Sequence, residues 1–344
     1  MKIIIDAMGG DNAPLEIVKG AVLAKEKYDA DIVLTGREEE ILKALKSMGE
    51  ASLPAGIEIV NCEEVITMED DPATAPRRKR NSSMTVGLTM LRKGEADAMV
   101  SAGSTGALLT GATLFTKRIN GIRRAALAPF VPCKGGNVLI IDCGANVECT
   151  PEYLLQFAFM GSFYVKSMLN IEAPRVGLIN NGAEECKGTE LQKETYKLLA
   201  KAHAEGRVNF VGNVEARDVP LGACDVAVCD GFTGNIIIKG FEGIAKFMFG
   251  EIKQVLKKNV KTMIGAALVK NDLMSLKKLM DSDEVGGTIL LGISKPVIKA
   301  HGSSDAKAVC NAVRQAISIV NADIVSQIND NIDYMRIEST EAEA

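Results

Sequence analysis

Ala98-Met99-Val100-Ser101-Ala102-Gly103-Ser104-Thr105-Gly106-Ala107 begins as an apolar run and passes through small residues into an apolar segment carrying Leu108, Leu109 and Leu114. An apolar run that ends in glycine and leads into a helix is a strand–turn–helix unit. Ser104 or Thr105 is placed to cap the helix. Backbone N–H groups left free at such a turn, with the helix dipole behind them, suit a phosphate or carboxylate. Ser101, Gly103, Thr105 and Gly106 are therefore expected to bind an anionic substrate. An ordinary capped turn is the competing reading of this stretch alone.

Outward from it, the pattern repeats. Ile3-Ile4-Ile5, Ile32-Val33-Leu34, Ile57-Glu58-Ile59-Val60, Val138-Leu139-Ile140-Ile141, Val176-Gly177-Leu178-Ile179, Val208-Asn209-Phe210-Val211 and Val226-Ala227-Val228 read as strands. Several are continuously apolar, as strands covered on both faces are. Helical patterns lie between them, over Pro14–Lys27, Glu38–Met48, Glu152–Met168 and Glu190–Ala202. This alternation predicts an α/β protein with a largely parallel sheet in three layers, and ligands in such a sheet sit at the carboxyl ends of the strands. A last helix is expected from Asp305 to about Ile328, with apolar residues at core-facing spacing. No linker or repeat divides residues 1–344, so a single catalytic unit is expected.

Composition narrows the function. Of 344 residues, 47% are hydrophobic and 24% charged, the balance of a soluble globular protein. Trp is absent and the net charge is −4, which argues against a nucleic-acid binder. The opening Met1-Lys2-Ile3-Ile4-Ile5-Asp6 is too short for a signal peptide, and no apolar run is long enough to span a bilayer. The eight cysteines form no C-x-x-C pair and only two histidines accompany them, so reduced thiols are expected and a metal site is not. There is no G-x-G-x-x-G and no G-x-S-x-G, and Cys186-Lys187-Gly188-Thr189 inverts the order a P-loop requires. No cofactor is expected.

Two further turns carry candidate chemistry. In Asn180 to Gly188 the charges of Glu184, Glu185 and Lys187 cluster, and Lys187 would neutralise a phosphate as a point charge. A solvated loop is the plain alternative. In Lys299-Ala300-His301-Gly302-Ser303-Ser304-Asp305 a short strand meets a helix start to be capped by Ser303, Ser304 or Asp305. His301 beside that start would work as a neutral donor or acceptor. Asn235, in Asp230-Gly231-Phe232-Thr233-Gly234-Asn235, offers a neutral hydrogen bond to a carbonyl or phosphate oxygen. Arg77, Arg78, Lys79 and Arg80 form a basic run that would dock an acidic protein or an anionic substrate.

Between Glu251 and Met280 the chain is helical in propensity and rich in lysine. Val255, Leu256, Val260, Met263, Ile264 and Leu268 fall on one helical face, with Lys253, Lys257, Lys258 and Lys261 largely off it. A basic amphipathic helix of this kind lies on an anionic bilayer. A helical hairpin packed on its own domain or on a partner subunit is the alternative.

Taken together, these segments resemble the bacterial phosphate acyltransferase (PlsX) family of phospholipid synthesis. The resemblance is carried in order by Asp6-Ala7-Met8-Gly9-Gly10-Asp11, Arg77-Arg78-Lys79, Ser101 to Ala107, Gly144-Ala145-Asn146-Val147, Glu184 to Gly188, Gly212-Asn213-Val214-Glu215, Asp230 to Asn235 and Lys299 to Asp305. It implies a fold similar to the isocitrate/isopropylmalate dehydrogenases (Rossmann-like) and the phosphotransacetylases, with a helical protrusion over 245–285 as a membrane-contact element. It implies acyl-(acyl carrier protein) and inorganic phosphate as substrates, and acyl phosphate as product. It also implies a homodimer, in the cytoplasm and peripherally associated with the membrane, that passes product to a membrane glycerol-phosphate acyltransferase. On that expectation Lys187, His301 and Asn235 are catalytic, Ser101, Gly103, Thr105, Gly106, Ser303 and Ser304 bind phosphate, and Arg78, Lys79 and Arg80 dock the carrier protein. A phosphotransacetylase acting on acyl-CoA, an NAD-dependent dehydrogenase and a non-catalytic membrane scaffold are the rival readings.

Overall fold

Ile3, Ile4 and Ile5 are fully buried at the centre of the first sheet, which accounts for the unbroken apolar run. The computed structural model describes residues 1–50, 52–279 and 286–335. Among these, the strands are β1 (Lys2–Asp6), β2 (Asp31–Gly36), β3 (Ile57–Asn61), β4 (Ala98–Ser101), β5 (Ala126–Ala128), β6 (Phe130–Cys133), β7 (Gly136–Ile141), β8 (Arg175–Asn180), β9 (Asn209–Glu215), β10 (Val226–Val228), β11 (Thr288–Leu291) and β12 (Val297–Lys299). They form two sheets, in the orders β3-β2-β1-β4-β12-β11-β5 and β6-β7-β10-β8-β9. Pairing is parallel except for β11 with β12, β11 with β5, and β6 with β7.

The α/β class and the parallel framework agree with expectation, but the strands are shared between two sheets. The chain changes sheet at Pro129, which separates β5 of the first from β6 of the second. Proline has no N–H to give to a ladder, so it marks a place where pairing stops. These strands, with β11, are short and antiparallel, and the apolar-run pattern passed over them.

Helices cover the sheets. Helix Leu15–Tyr28 packs against helix Ala306–Asn321 so closely that a Cβ on Gly20 would stand 2.5 Å from Val309 Cβ. Helix Pro151–Leu169 buries Phe157, Phe159 and Tyr164 completely or nearly so. The expected last helix is interrupted after Asn321 and resumes as Ile324–Asp330, with Asp323 at φ 47° between them.

The segment expected to be helical from Glu251 falls on three helices, the end of Gly231–Leu256, then Val260–Leu268 and Lys270–Leu279. Asn259 makes the first break by capping the second helix, its side chain accepting from the Thr262 amide at 3.1 Å. Residues 280–285 of the expected protrusion lie outside the described residues. Val255, Val260, Met263, Ile264 and Leu268 are all more than half exposed. No described helix is long and apolar enough to cross a membrane.

Candidate active site

Three neighbouring parallel strands end together. The registers pair Ile5 with Val100, Ile298 with Val100, and Lys299 with Ser101. Asp6, Ser101 and Lys299 thus stand side by side at the carboxyl ends of β1, β4 and β12, where ligands meet a parallel sheet. Ser101 Oγ donates to Asp6 Oδ2 at 2.6 Å and accepts from the Gly103 amide at 3.1 Å. Lys299 Nζ donates to the Ala102 carbonyl at 3.3 Å and also to the Ala300 carbonyl. Burial pushes the Asp6 carboxyl above its ordinary range, opposed by the hydroxyls of Ser101 and Ser83. Burial pushes the Lys299 ammonium down to about 8, against the pull of Asp6 and Asp11.

The glycines of the first loop let the turns touch. A Cβ on Gly9 would lie 2.7 Å from the Gly103 nitrogen, and the Asp11 amide donates to the Gly302 carbonyl at 2.8 Å. The loops after β1, β4 and β12 are therefore one packed unit.

The second sheet supplies the opposite side. Asp142, just past β7, is buried and accepts from the amides of Leu127 (2.9 Å), Ala145 (3.2 Å) and Asn146 (2.6 Å) and from Asn146 Nδ2 (2.9 Å). Its bond to Leu127 joins the second sheet to β5 of the first. Burial pushes this carboxyl upward, opposed by the same donors. Helix Gly231–Leu256 starts against the turn that follows: a Cβ on Gly234 would lie 2.0 Å from the Asp142 carbonyl oxygen. Asp230 caps that helix through the Thr233 amide at 2.8 Å. This contact sets Asn235 beside Gly144, about 3.8 Å from the position of a Cβ there.

Between the two sides lies a cavity of about 960 Å³. Its polar lining includes Thr105, Asn235, Lys299, His301 and Ser304, with Gly144 and Gly302 beside them in the turns. Much of the rest is apolar, lined by β6, Pro220 and helix Gly231–Leu256, which also brings the ion pair Lys239–Glu242 to the cavity. Ser304 Oγ is buried and has no hydrogen-bond partner among the described residues. A buried hydroxyl on a cavity wall without a partner is the place a ligand oxygen would occupy. His301 Nδ1 accepts from the Ser303 amide at 3.3 Å and lies 2.8 Å from Ser303 Oγ. A backbone N–H can only donate, so the neutral ring carries its proton on Nε2 and can donate from there.

The residues singled out from the sequence divide accordingly. Thr105, Asn235, His301 and Ser304 meet in the cavity. Ser101 and Gly103 do not face it as expected; both are buried, with their polar groups engaged beneath the turn. Gly106 packs on Pro72 at the start of helix Thr105–Gly111 and is not among the lining residues. Ser303 supports His301, and Asp305 takes the helix cap, accepting from the Ala308 amide at 2.8 Å.

Lys187 is exposed in its loop and does not line the cavity. That loop follows β8, on the same edge of the second sheet as Asp142 but two strands from β7, about 10 Å at ordinary strand spacing. Lys79 is tied to Asp70 at 2.6 Å and to the Val65 carbonyl at 2.8 Å, while Arg78 and Arg80 are exposed.

Lys299, Asp6 and Asp142 carried no assignment from the sequence. Their common signal is a charged residue at the end of an otherwise apolar, buried strand.

Residues 1–327 match the family described as fatty acid synthesis protein. The chain is 48% identical over 335 residues to a phosphate acyltransferase of Thermoanaerobacterium thermosaccharolyticum, covering 97% of this chain and 98% of that protein. A phosphotransacetylase from Streptococcus pyogenes superposes with a TM-score of 0.60 at 18% identity, covering 95% of this chain and 94% of that one. A 4-hydroxythreonine-4-phosphate dehydrogenase from Burkholderia phymatum does so at 0.50 and 13%, covering 92% and 98%. At these identities the two structures speak for a shared fold alone.

Proposed function

The chain belongs to the fatty acid synthesis protein family of phosphate acyltransferases, and from that premise we propose that it forms acyl phosphate by direct attack of inorganic phosphate on an acyl-(acyl carrier protein) thioester. The observation that carries the reading is that Thr105, Asn235, Lys299, His301 and Ser304, drawn from loops and helix starts of both halves of the fold, line one cavity.

Phosphate is already a nucleophile, so the site has to hold an anion against the carbonyl and stabilise the oxyanion that develops. Lys299 supplies the positive charge, with one N–H beyond the two given to backbone carbonyls. Ser304 Oγ and the Thr105 hydroxyl donate to phosphate oxygens. Asn235 Nδ2 or His301 Nε2 donates to the thioester oxygen. A phosphate oxygen bonds to the carbonyl carbon, the tetrahedral intermediate collapses, the C–S bond breaks, and the carrier thiolate leaves. Lys187 adds positive potential from the flanking loop, or contacts phosphate in a homodimer.

The same reading takes residues 1–344 as one catalytic unit, with Arg78 and Arg80 docking the acidic carrier protein. The exposed Val255, Val260, Met263, Ile264 and Leu268, with the half-buried Leu256 and the lysines near them, make the protrusion expected over 245–285 a peripheral membrane contact that releases product towards a membrane glycerol-phosphate acyltransferase. The test is trapping of acyl phosphate as a hydroxamate from purified protein, with carrier-protein and CoA thioesters compared as donors. Phosphate-dependent hydroxamate from the carrier-protein donor supports the reading. A preference for acyl-CoA would replace the proposed donor, and no phosphate-dependent product would refute it.

A further inference from the structure

Helix Gly231–Leu256 presents a continuous stripe to the cavity. Asn235, Ile238, Phe241, Ala245, Met248 and Ile252 all line it, at steps of three and four residues. From Asn235 to Ile252 the stripe runs about 25 Å at 1.5 Å per residue. Its first residue, Asn235, is polar and the others are apolar, while the ion pair of Lys239 and Glu242 lines the cavity beside them. Phe130, Val131 and Pro132 of β6 add apolar wall. A long apolar stripe with a polar residue at its start matches an unbranched hydrocarbon whose reactive group is at its terminus.

Resting on the reaction proposed above, we propose that the acyl chain of the substrate lies along this stripe, carbonyl end at Asn235, and that Ala245 is the position that lets long chains pass. Ala245 has the smallest side chain of the stripe, between Phe241 and Met248. It lies ten residues beyond Asn235, about 15 Å along the helix axis. A bulky side chain there closes the groove to the part of a chain beyond that point. The same change at Ile252 closes it about 10 Å further on.

The experiment compares wild type, Ala245→Trp and Ile252→Trp with acyl thioesters from butyryl to stearoyl at saturating phosphate, with sedimentation of each variant as a check on assembly. Ala245→Trp is expected to lower the palmitoyl-to-butyryl ratio of kcat/KM by about ten-fold or more. Ile252→Trp is expected to move the cut-off to longer chains than Ala245→Trp does. An unchanged chain-length profile in both variants, or one cut-off shared by both, overturns the assignment. So does an equal loss with every donor accompanied by a change in sedimenting mass, which gives the stripe to a second copy of the chain. Calorimetric binding of alkyl phosphonates of two lengths separates this inference from the reaction itself. If wild type turns over no donor, weaker binding of only the longer phosphonate by Ala245→Trp still supports the groove, and equal binding by both proteins refutes it.

Discussion

Ser101 donates its hydroxyl to Asp6 at 2.6 Å, from the end of β4 to the end of the neighbouring strand β1. The same oxygen accepts the Gly103 amide, so one buried side chain fixes both a carboxylate and the turn above it. Ser101→Ala leaves two buried polar groups short of a partner, at a cost of about 1–3 kcal/mol. The urea midpoint is expected to fall accordingly. Unchanged stability with abolished turnover would instead place the hydroxyl on the substrate.

Lys299 sets a pH dependence. Its ammonium titrates at about 8, so it is a cation below that pH and is progressively lost above it. The KM for phosphate is expected to rise as pH passes upward through 8. Lys299→Arg, which stays charged, should flatten that rise even if turnover falls. A phosphate KM that stays level to pH 9 in the wild type would remove Lys299 from the phosphate site.

Gly234 has no room for a side chain. A Cβ would meet the Asp142 carbonyl oxygen at 2.0 Å, which forces helix Gly231–Leu256 away from the β7 turn. Gly234→Ala is expected to destabilise by about 1–3 kcal/mol, as overpacking does. It should also reduce turnover, because Asn235 moves with the helix. A wild-type melting curve would show that this contact is looser than described.

The basic run divides by environment. Lys79 is held by Asp70 and the Val65 carbonyl, whereas Arg78 and Arg80 are exposed. Arg78→Glu with Arg80→Glu is expected to raise the carrier-protein KM several-fold at low salt, with the effect shrinking as salt screens the charges. Lys79→Met is expected to act on stability through the loop at Asp70. Equal carrier-protein KM values for the double variant and the wild type would move the docking surface elsewhere.

Much of this architecture was legible in the chain. Ile3-Ile4-Ile5 and Val138 to Ile141 announced covered parallel strands because both faces of each are buried. The glycine turns announced the carboxyl edge. The division at Pro129 was not legible, because three-residue antiparallel strands such as β5 carry no period long enough to read. Ser101, expected to face the ligand, is buried beneath its turn, and Lys299, which carried no assignment, lines the cavity, for a related reason. Which strand ends stand side by side at the cavity depends on the register of β1, β4 and β12. Contacts between distant segments set that register. The apolar groove escaped notice because its walls come from helix Gly231–Leu256 and β6, about a hundred residues apart in sequence.

The most direct measurement is the phosphate KM of Lys299→Met set beside that of Lys187→Ala, with acyl-(acyl carrier protein) saturating and both variants shown to be folded. The account predicts a rise of about ten-fold or more for Lys299→Met, the loss of a charge-assisted contact, and a smaller rise for Lys187→Ala. A wild-type phosphate KM in Lys299→Met, with the whole loss in Lys187→Ala, would contradict it.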